Sequence, residues 1–138
     1  MNFIFYVLLF SLFPFIVQSQ IKLEKITPKI SNLWGIAIIN KDEILVTQRS
    51  GNLYRLNVFN KNISKIEGAP KVYNSGQGGL LDIVFEKEND VQRVYLCLSK
   101  VIASNKSSTA IHSYNLINNK LINEKVIFIS NKISSSGR

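Results

Sequence analysis

The sequence predicts an all-β fold built from two four-stranded units. Between residues 33 and 130 the apolar residues fall into eight short runs separated by turn residues, a pattern typical of strands. Helical spacing is nowhere sustained. The runs form two groups of four, and the second group repeats the first after a shift of 46 residues. Because four-stranded units that repeat at roughly 40–50 residues are typical of propeller blades, the pattern predicts two blades of a β-propeller.

Turn residues separate the predicted strands within each group. In the first group the strands are Leu33–Ile39, Glu43–Thr47, Leu53–Phe59 and the weaker Ile63–Glu67. A stretch containing Gly and Pro follows, and the second group consists of Leu80–Glu86, Arg93–Ser99, Thr109–Leu116 and Lys125–Ser130. Side chains two residues apart share one face of a strand, so Val94, Leu96 and Leu98 should point the same way, as should Tyr54, Leu56 and Val58.

The repeat places Gly35–Lys41 over Leu81–Lys87, and each segment is an apolar strand that leads into a charged turn. A small self-contained β-sandwich is the alternative architecture. Two blades cannot close a ring, so the propeller interpretation expects this chain to be the N-terminal part of a longer protein.

Composition excludes several classes of protein. The chain of 138 residues is 46% hydrophobic with 3 Pro and 7 Gly, which excludes a disordered or collagen-like protein. One Cys and one His cannot form an intramolecular disulfide or a structural zinc site. The net charge is +8, but no two Lys or Arg are adjacent, so a generally basic surface is favoured and no nucleic-acid partner is expected.

The first 19 residues predict an export signal. Residues 1–17 form an uncharged, apolar run that is shorter than the roughly 20 residues a membrane helix needs. The run ends at Val17-Gln18-Ser19, the small-residue spacing that signal peptidase accepts. We therefore expect residues 1–19 to be a cleaved signal peptide and residues 20–138 to work in the periplasm or outside the cell. An uncleaved anchor is the alternative.

Few residues are candidates for catalysis or metal binding from the sequence alone. His112 is the only imidazole, and no orienting group is visible near it in the sequence, so a packed or surface histidine is expected. Cys97 alternates with apolar residues and is expected in the core. Acidic residues fall in predicted turns, where solvated ends are the usual outcome and calcium binding is the alternative. They are Asp42, Glu43, Glu86, Glu88 and Asp90.

The distinctive segment is the glycine-rich stretch from Asn74 to Asp82, which contains Gly76-Gln77-Gly78-Gly79. Its glycines allow positive φ and close approach to a ligand, and the Gln77 amide offers both donors and an acceptor. Sugar hydroxyls suit such an amide. The residues alone leave two readings equally open, a ligand contact and a tight turn in which Gln77 caps backbone groups.

These segments, in this order and spacing, resemble a known family. The matching blocks are Leu33–Ala37, Ile44–Leu53, Gly76–Ile83 and Arg93–Leu96, and the Gly-Gln-Gly-Gly-Leu-Leu-Asp block is the most specific. They resemble the start of the soluble quinoprotein sugar dehydrogenases, the glucose/sorbosone dehydrogenase family, which includes periplasmic aldose sugar dehydrogenases. One departure is visible, because the family commonly has Glu where Gln48 stands.

The resemblance implies a six-bladed β-propeller that holds pyrroloquinoline quinone (PQQ) and calcium over a central sugar site. In such enzymes a histidine removes the proton of the aldose C1 hydroxyl while a hydride passes to the quinone. The resemblance implies one site residue here, Gln77, as a substrate-binding residue. It also implies an aldose substrate and a soluble electron acceptor, with no stable membrane anchor.

No catalytic, cofactor-binding or metal-binding residue is assigned within this chain. The segment Lys132–Arg138 resembles the Ser- and Gly-rich approach to the family's catalytic histidine, which would then follow Arg138. A second alignment places Gly137-Arg138 after that histidine, with the base lost. The leading hypothesis is thus an exported PQQ-dependent aldose dehydrogenase. The alternatives are a secreted propeller that binds carbohydrate or protein without redox activity, and a lactonase-type hydrolase.

Overall fold

The computed structural model describes residues 20–27 and 30–136 and consists of two four-stranded antiparallel sheets. The first sheet has the order β1-β2-β3-β4, with β1 (Leu33–Ile38), β2 (Glu43–Gln48), β3 (Asn52–Asn57) and β4 (Ile63–Ile66). The second has the order β5-β6-β7-β8, with β5 (Leu80–Glu88), β6 (Val91–Ala103), β7 (Lys106–Ile117) and β8 (Lys120–Ile129). The all-β class and the division into two groups of four strands are confirmed. The predicted signal peptide lies outside the described residues.

The strands of the second sheet are longer than the sequence indicated. β8 begins at Lys120, five residues before the predicted start, because Leu121 pairs with Leu116 and is buried with it. The turn before it is a tight hairpin in which Asn118 and Asn119 both have positive φ. The polar residues before Lys125, which the sequence analysis left outside the strands, therefore form the first part of β8 and pair with β7.

The 46-residue repeat is visible in the burial pattern of the first strand of each sheet. Ala37 and Ile83 are equivalent under this shift and are both buried. The next pair, Ile38 and Val84, is exposed in both sheets. The repeated segments thus present equivalent faces, as blades of one propeller would.

The hydrophobic core lies between the two sheets, where β1 and β2 pack against β5. Fully buried leucines come from both sides of this interface, namely Leu45 and Leu53 from the first sheet and Leu80, Leu96 and Leu98 from the second. Burial of each such side chain contributes about 1.5–3 kcal/mol, so packing at this interface stabilises the described chain substantially. The predicted common face of Val94, Leu96 and Leu98 is confirmed, because all three are buried.

Thr47 joins the two sheets where β1 and β2 pack against β5. Its side chain is fully buried, accepts a hydrogen bond from the Gly35 backbone N–H at 2.8 Å, and donates to the Leu81 carbonyl oxygen. Gly35 lacks a Cβ, and one built there would lie 3.0 Å from both the Leu81 oxygen and Oδ1 of Asp82. The small residue and the buried hydroxyl together let β1 and β5 come together.

The connection from β4 to β5 crosses the edge of the second sheet before it turns inward. Glu67 donates its N–H to the Asn119 carbonyl at 2.9 Å and accepts from the Leu121 N–H at 2.9 Å. Further on, the Tyr73 N–H donates to the Ser99 carbonyl at 2.8 Å. These bonds fix the path that delivers the glycine-rich segment to the start of β5.

Each sheet also keeps an apolar face that the other does not cover. On the first sheet Ile36 and Ile38 are exposed, and on the second sheet Val84, Ile111 and Phe128 are exposed. Among the described residues no helix is long and apolar enough to cross a membrane.

Candidate functional site: the Gly-Gln-Gly-Gly loop

The candidate site is the loop before β5, at the end of the sheets where β2 turns into β3. A turn forms within it, because the Gly78 N–H donates to the Ser75 carbonyl at 2.8 Å. Gly76 has a φ of 56° and Gly79 a φ of 148°, and both values disfavour residues with a side chain. The expectation that glycines of this loop adopt positive φ is therefore confirmed at Gly76 and Gly79.

Arg49 holds the loop from both ends. Its guanidinium Nη1 donates to the Gly76 carbonyl at 2.6 Å, and its own carbonyl accepts from the Leu80 N–H at 3.0 Å. A Cβ on Gly79 would lie 2.1 Å from the Arg49 carbonyl oxygen, so only glycine fits there. Nε of Arg49 is buried and has no hydrogen-bond partner among the described residues.

The segment that follows β8 closes the other side of the loop. The Tyr73 hydroxyl donates to the Ser135 carbonyl at 3.1 Å, and Ser134 and Ser107 exchange backbone hydrogen bonds at 2.8 and 2.9 Å. A Cβ on Gly76 would lie 2.5 Å from the Ser136 carbonyl oxygen. The Ser-rich segment that resembles the family's approach to a catalytic histidine therefore runs directly beside the glycine-rich loop.

Gln77 is exposed at the tip of this arrangement. Its side-chain amide makes no hydrogen bond to the other described residues, so it does not cap the turn. The turn is closed instead by the Gly78–Ser75 backbone bond and by Arg49. Within the described part of the chain, the amide thus keeps its two donors and its acceptor unpaired, on a loop whose backbone is held by its neighbours.

Gln48, the position where the family commonly has Glu, has a different environment. Its Oε1 accepts from Asn52 Nδ2 at 2.7 Å and from the Tyr54 hydroxyl at 3.2 Å, while its Nε2 donates to the Ser31 carbonyl at 3.0 Å. All these contacts lie within the first sheet and the segment before it. Gln48 therefore shapes the β2–β3 turn that presents Arg49.

His112 lies away from this loop, in β7, and is only 3% exposed. The expectation of a packed histidine is confirmed, and the structure adds an orienting partner that was not visible in the sequence. Its Nδ1 lies 2.6 Å from Oε1 of Glu124, and the Tyr114 hydroxyl donates to the same oxygen at 2.6 Å. The sequence could not show this pairing because Glu124 is on β8, beside a bulge with Asn123 at positive φ. Burial and Glu124 raise the pKa of the Tyr114 hydroxyl.

Cys97 is only half-buried, not enclosed in the core as expected. Burial raises the pKa of its thiol, and Asp82 raises it further, so the reactive thiolate is disfavoured. The acids Glu86 and Glu88 lie within β5, not in a turn, and Glu86 accepts from the Tyr95 hydroxyl at 2.9 Å. Among the described residues, no group of three His, Cys, Asp or Glu side chains could hold a metal ion.

Sequence reasoning missed the role of Arg49. It is 27 residues from Gly76, and no local pattern connects the two. The one indication in the sequence was that Arg49 lies just after an apolar strand, within the block Ile44–Leu53 that resembles the family. A contact between two loops of different sheets has no periodicity, so the tertiary structure is needed to reveal it.

Comparison with known proteins decides the family. The model of the Glucose / Sorbosone dehydrogenase family matches residues 30–138. This chain belongs to that family. It is 28% identical over 95 residues to the aldose sugar dehydrogenase YliI of Escherichia coli (strain K12), a match that covers 67% of this chain and 26% of the relative.

Solved structures agree with the family assignment. The soluble aldose sugar dehydrogenase from Escherichia coli in the apo-form superposes with a TM-score of 0.65 and 28% identity, covering 72% of this chain and 30% of that one. The PQQ-bound aldose sugar dehydrogenase from Streptomyces coelicolor has a TM-score of 0.68 at 21% identity and covers 78% and 33%, which supports the fold. The chain thus spans about a quarter to a third of the length of these proteins, and its two sheets match a part of their β-propeller fold.

Proposed function

We propose that the whole protein oxidises the C1 hydroxyl of aldose sugars with PQQ as hydride acceptor, and that Gln77 contacts the sugar. The observation that carries this proposal is the free Gln77 amide on a loop held by Arg49, within the Gly-Gln-Gly-Gly-Leu-Leu-Asp block. Membership of the Glucose / Sorbosone dehydrogenase family supports the reaction class.

The loop would bind and orient the sugar. An amide can donate to one sugar hydroxyl and accept from another, and two such bonds fix the orientation of the sugar ring in the site. The backbone around Gln77 is held by the bond from Arg49 to the Gly76 carbonyl and by the bond from the Gly78 N–H to the Ser75 carbonyl, so little ordering is needed when the ligand arrives. Because Ser134–Ser136 run beside Gly76, a histidine that followed this segment would enter the site next to the sugar.

When bound, PQQ would accept the hydride. The described residues fit a sugar-binding edge of such a site, because their free group is a neutral amide. They do not fit a calcium site, since no cluster of three acidic or imidazole ligands is present among them. A soluble electron acceptor that reoxidises the quinone belongs to the same proposal.

We further propose that the protein is exported to the periplasm or beyond, with cleavage after Ser19. The support is the uncharged run of residues 1–17 followed by Val17-Gln18-Ser19. Mass spectrometry of the mature N-terminus should find Gln20 as its first residue. A mature protein that starts at Met1 and stays with membranes would contradict export.

The proposed role of Gln77 is tested by Gln77→Ala in the whole protein. Loss of one hydrogen bond to a neutral hydroxyl costs on the order of 1 kcal/mol, and more if a buried group is left unpaired, so kcat/KM should fall roughly five- to a hundred-fold. PQQ binding should be nearly unchanged. Steady-state kinetics with a panel of aldoses and a titration with PQQ measure both.

Asn74→Ala is a matched control, because Asn74 is an exposed amide in the same loop outside the Gly-Gln-Gly-Gly segment. Its kinetics should resemble those of the unmodified protein. Unchanged kinetics in Gln77→Ala with a large fall in melting temperature would show that Gln77 stabilises the turn and does not contact sugar. Sugar binding without any PQQ-dependent oxidation would favour a secreted binding module.

A further inference from the structure

The segment that precedes the first sheet is exposed at its start. Residues 20–25 are all exposed and lie outside the strands. The side chains of Ile21 and Leu23 are 90% and 93% exposed, so they do not pack into the core. The segment is tied to the first sheet by an ion pair, in which Lys61 Nζ lies 2.7 Å from Oε1 of Glu24. The residues before Glu24 therefore extend into solvent from this point.

The turn that carries Lys61 is ordered by its own hydrogen bonds. The Asn62 N–H donates to Oδ1 of Asn60 at 3.0 Å, and the Asn57 N–H donates to the Asn62 carbonyl at 2.9 Å. The ion pair with Glu24 is exposed on both sides, and exposed ion pairs contribute little to stability. Neither this turn nor the ion pair restrains the four residues that come before Glu24.

Gln20 lies at the exposed end of this segment. Its side-chain amide makes no hydrogen bond to another described residue, so it is free to rotate. While Ser19 is attached, the backbone nitrogen of Gln20 belongs to a peptide bond and is not a nucleophile. Cleavage after Ser19 converts this nitrogen into a primary amine, placed on the same residue as a carboxamide.

These two groups can react with each other to close a five-membered ring. The amine nitrogen attacks Cδ of the side chain, so that an N–Cδ bond forms and the Cδ–Nε2 bond breaks. Nε2 leaves as ammonia and takes the proton that the amine loses, and no oxidant or other reactant is needed. An α-amine has an ordinary pKa of about 7.7–8.0, so part of it is unprotonated near neutral pH. Because both groups belong to one residue, the ring closure benefits from their proximity.

We propose that Gln20 is a modification site, at which the N-terminus of the mature protein closes to a pyroglutamyl lactam. This inference rests on the proposed cleavage after Ser19 and is independent of the sugar oxidation. The lactam removes the positive charge of the new terminus and the primary amine that aminopeptidases recognise. It thereby protects an exposed segment that includes Ile21 and Leu23 from being trimmed.

The test uses the whole protein, purified from the compartment to which it is exported. A protease that cuts after glutamate releases residues 20–24. Mass spectrometry should find this peptide lighter, by the mass of one ammonia, than the same peptide with a free amine. A broad-specificity aminopeptidase should leave the unmodified protein intact. It should trim the matched variant Gln20→Ala, which has no carboxamide and cannot close the ring.

A synthetic peptide of residues 20–24 with a free amine is the control for ring closure during handling. Equal loss of ammonia from this peptide would overturn the proposal. A mature chain that starts at Gln20 with a free amine, and is trimmed as fast as Gln20→Ala, would also overturn it while leaving export intact. A chain that starts at any other residue would overturn both this inference and cleavage after Ser19. Removal of the lactam by pyroglutamyl peptidase should restore trimming, and continued resistance would contradict the protective role.

Discussion

At the scale of single residues, the site depends on contacts that only glycine allows. Two features exclude other residues at Gly79. Its φ is 148°, and a Cβ added there would lie only 2.1 Å from the Arg49 carbonyl oxygen. A flexible side chain could move aside, but a carbonyl that accepts from the Leu80 N–H cannot move without breaking that bond. Arg49 and Gly79 therefore fix each other, and Gln77 is presented as a result.

We expect Gly79→Ala in the whole protein to be strongly destabilising, by about 2 kcal/mol or more, because steric overlap and positive φ both oppose it. Thermal unfolding followed by circular dichroism measures the loss. Gly78→Ala is the matched control, since Gly78 does not have positive φ, and its effect should be much smaller. Equal melting temperatures for the two variants would show that the contact with Arg49 is not required.

At the scale of elements, β8 is tied to β7 by a side-chain cluster and not only by its ladder. The ladder is interrupted by bulges near His112 and Ser113, where Glu124 reaches across to accept from His112 Nδ1 and the Tyr114 hydroxyl. The hydrogen bond from Tyr114 is the main cause that lowers the pKa of Glu124, and His112 and Lys100 add to it. The ionised carboxylate is therefore the form that holds β8.

This arrangement predicts a dependence of stability on pH. Because the pKa of Glu124 is below its ordinary value of 4.5 in the folded chain, its contribution is fully present above that value and is lost as the pH falls through the folded pKa. Glu124→Gln keeps an acceptor oxygen but removes the charge. As the pH falls below 4.5, the stability of this variant should therefore fall less than that of the unmodified protein.

Melting temperatures at several pH values measure this difference. Glu88→Gln is the control, since it changes an exposed acid at the end of β5 by the same substitution. Parallel pH curves for the unmodified protein and Glu124→Gln would contradict the role assigned to Glu124.

At the scale of the whole molecule, the two sheets cover one face of each other and leave the outer faces open. Ile36 and Ile38 on the first sheet are 63% and 71% exposed, and Val84 and Phe128 on the second are 58% and 49% exposed. In a propeller each blade buries such faces against its neighbours. The exposed apolar residues therefore lie where a propeller would pack a further blade.

We expect residues 20–138 expressed alone not to form a cooperative monomer, because the exposed faces and strand edges favour association. Size-exclusion chromatography with light scattering and a thermal scan measure this. The corresponding segment within the whole protein is the control and should unfold cooperatively. A monodisperse monomer with one sharp transition would instead support the self-contained β-sandwich.

The sequence alone determined the class of the fold and the existence of all eight strands, because alternation of apolar residues and turn residues are local properties of the chain. It also indicated the glycine-rich loop and Gln77, since glycine marks positions with unusual backbone geometry. The tertiary structure decided the rest. Arg49 contacts Gly76 and Glu124 contacts His112, each across a distance in sequence that no local pattern spans. These contacts depend on how two twisted sheets pack and where a bulge shifts the register, and neither is encoded in any short stretch of residues.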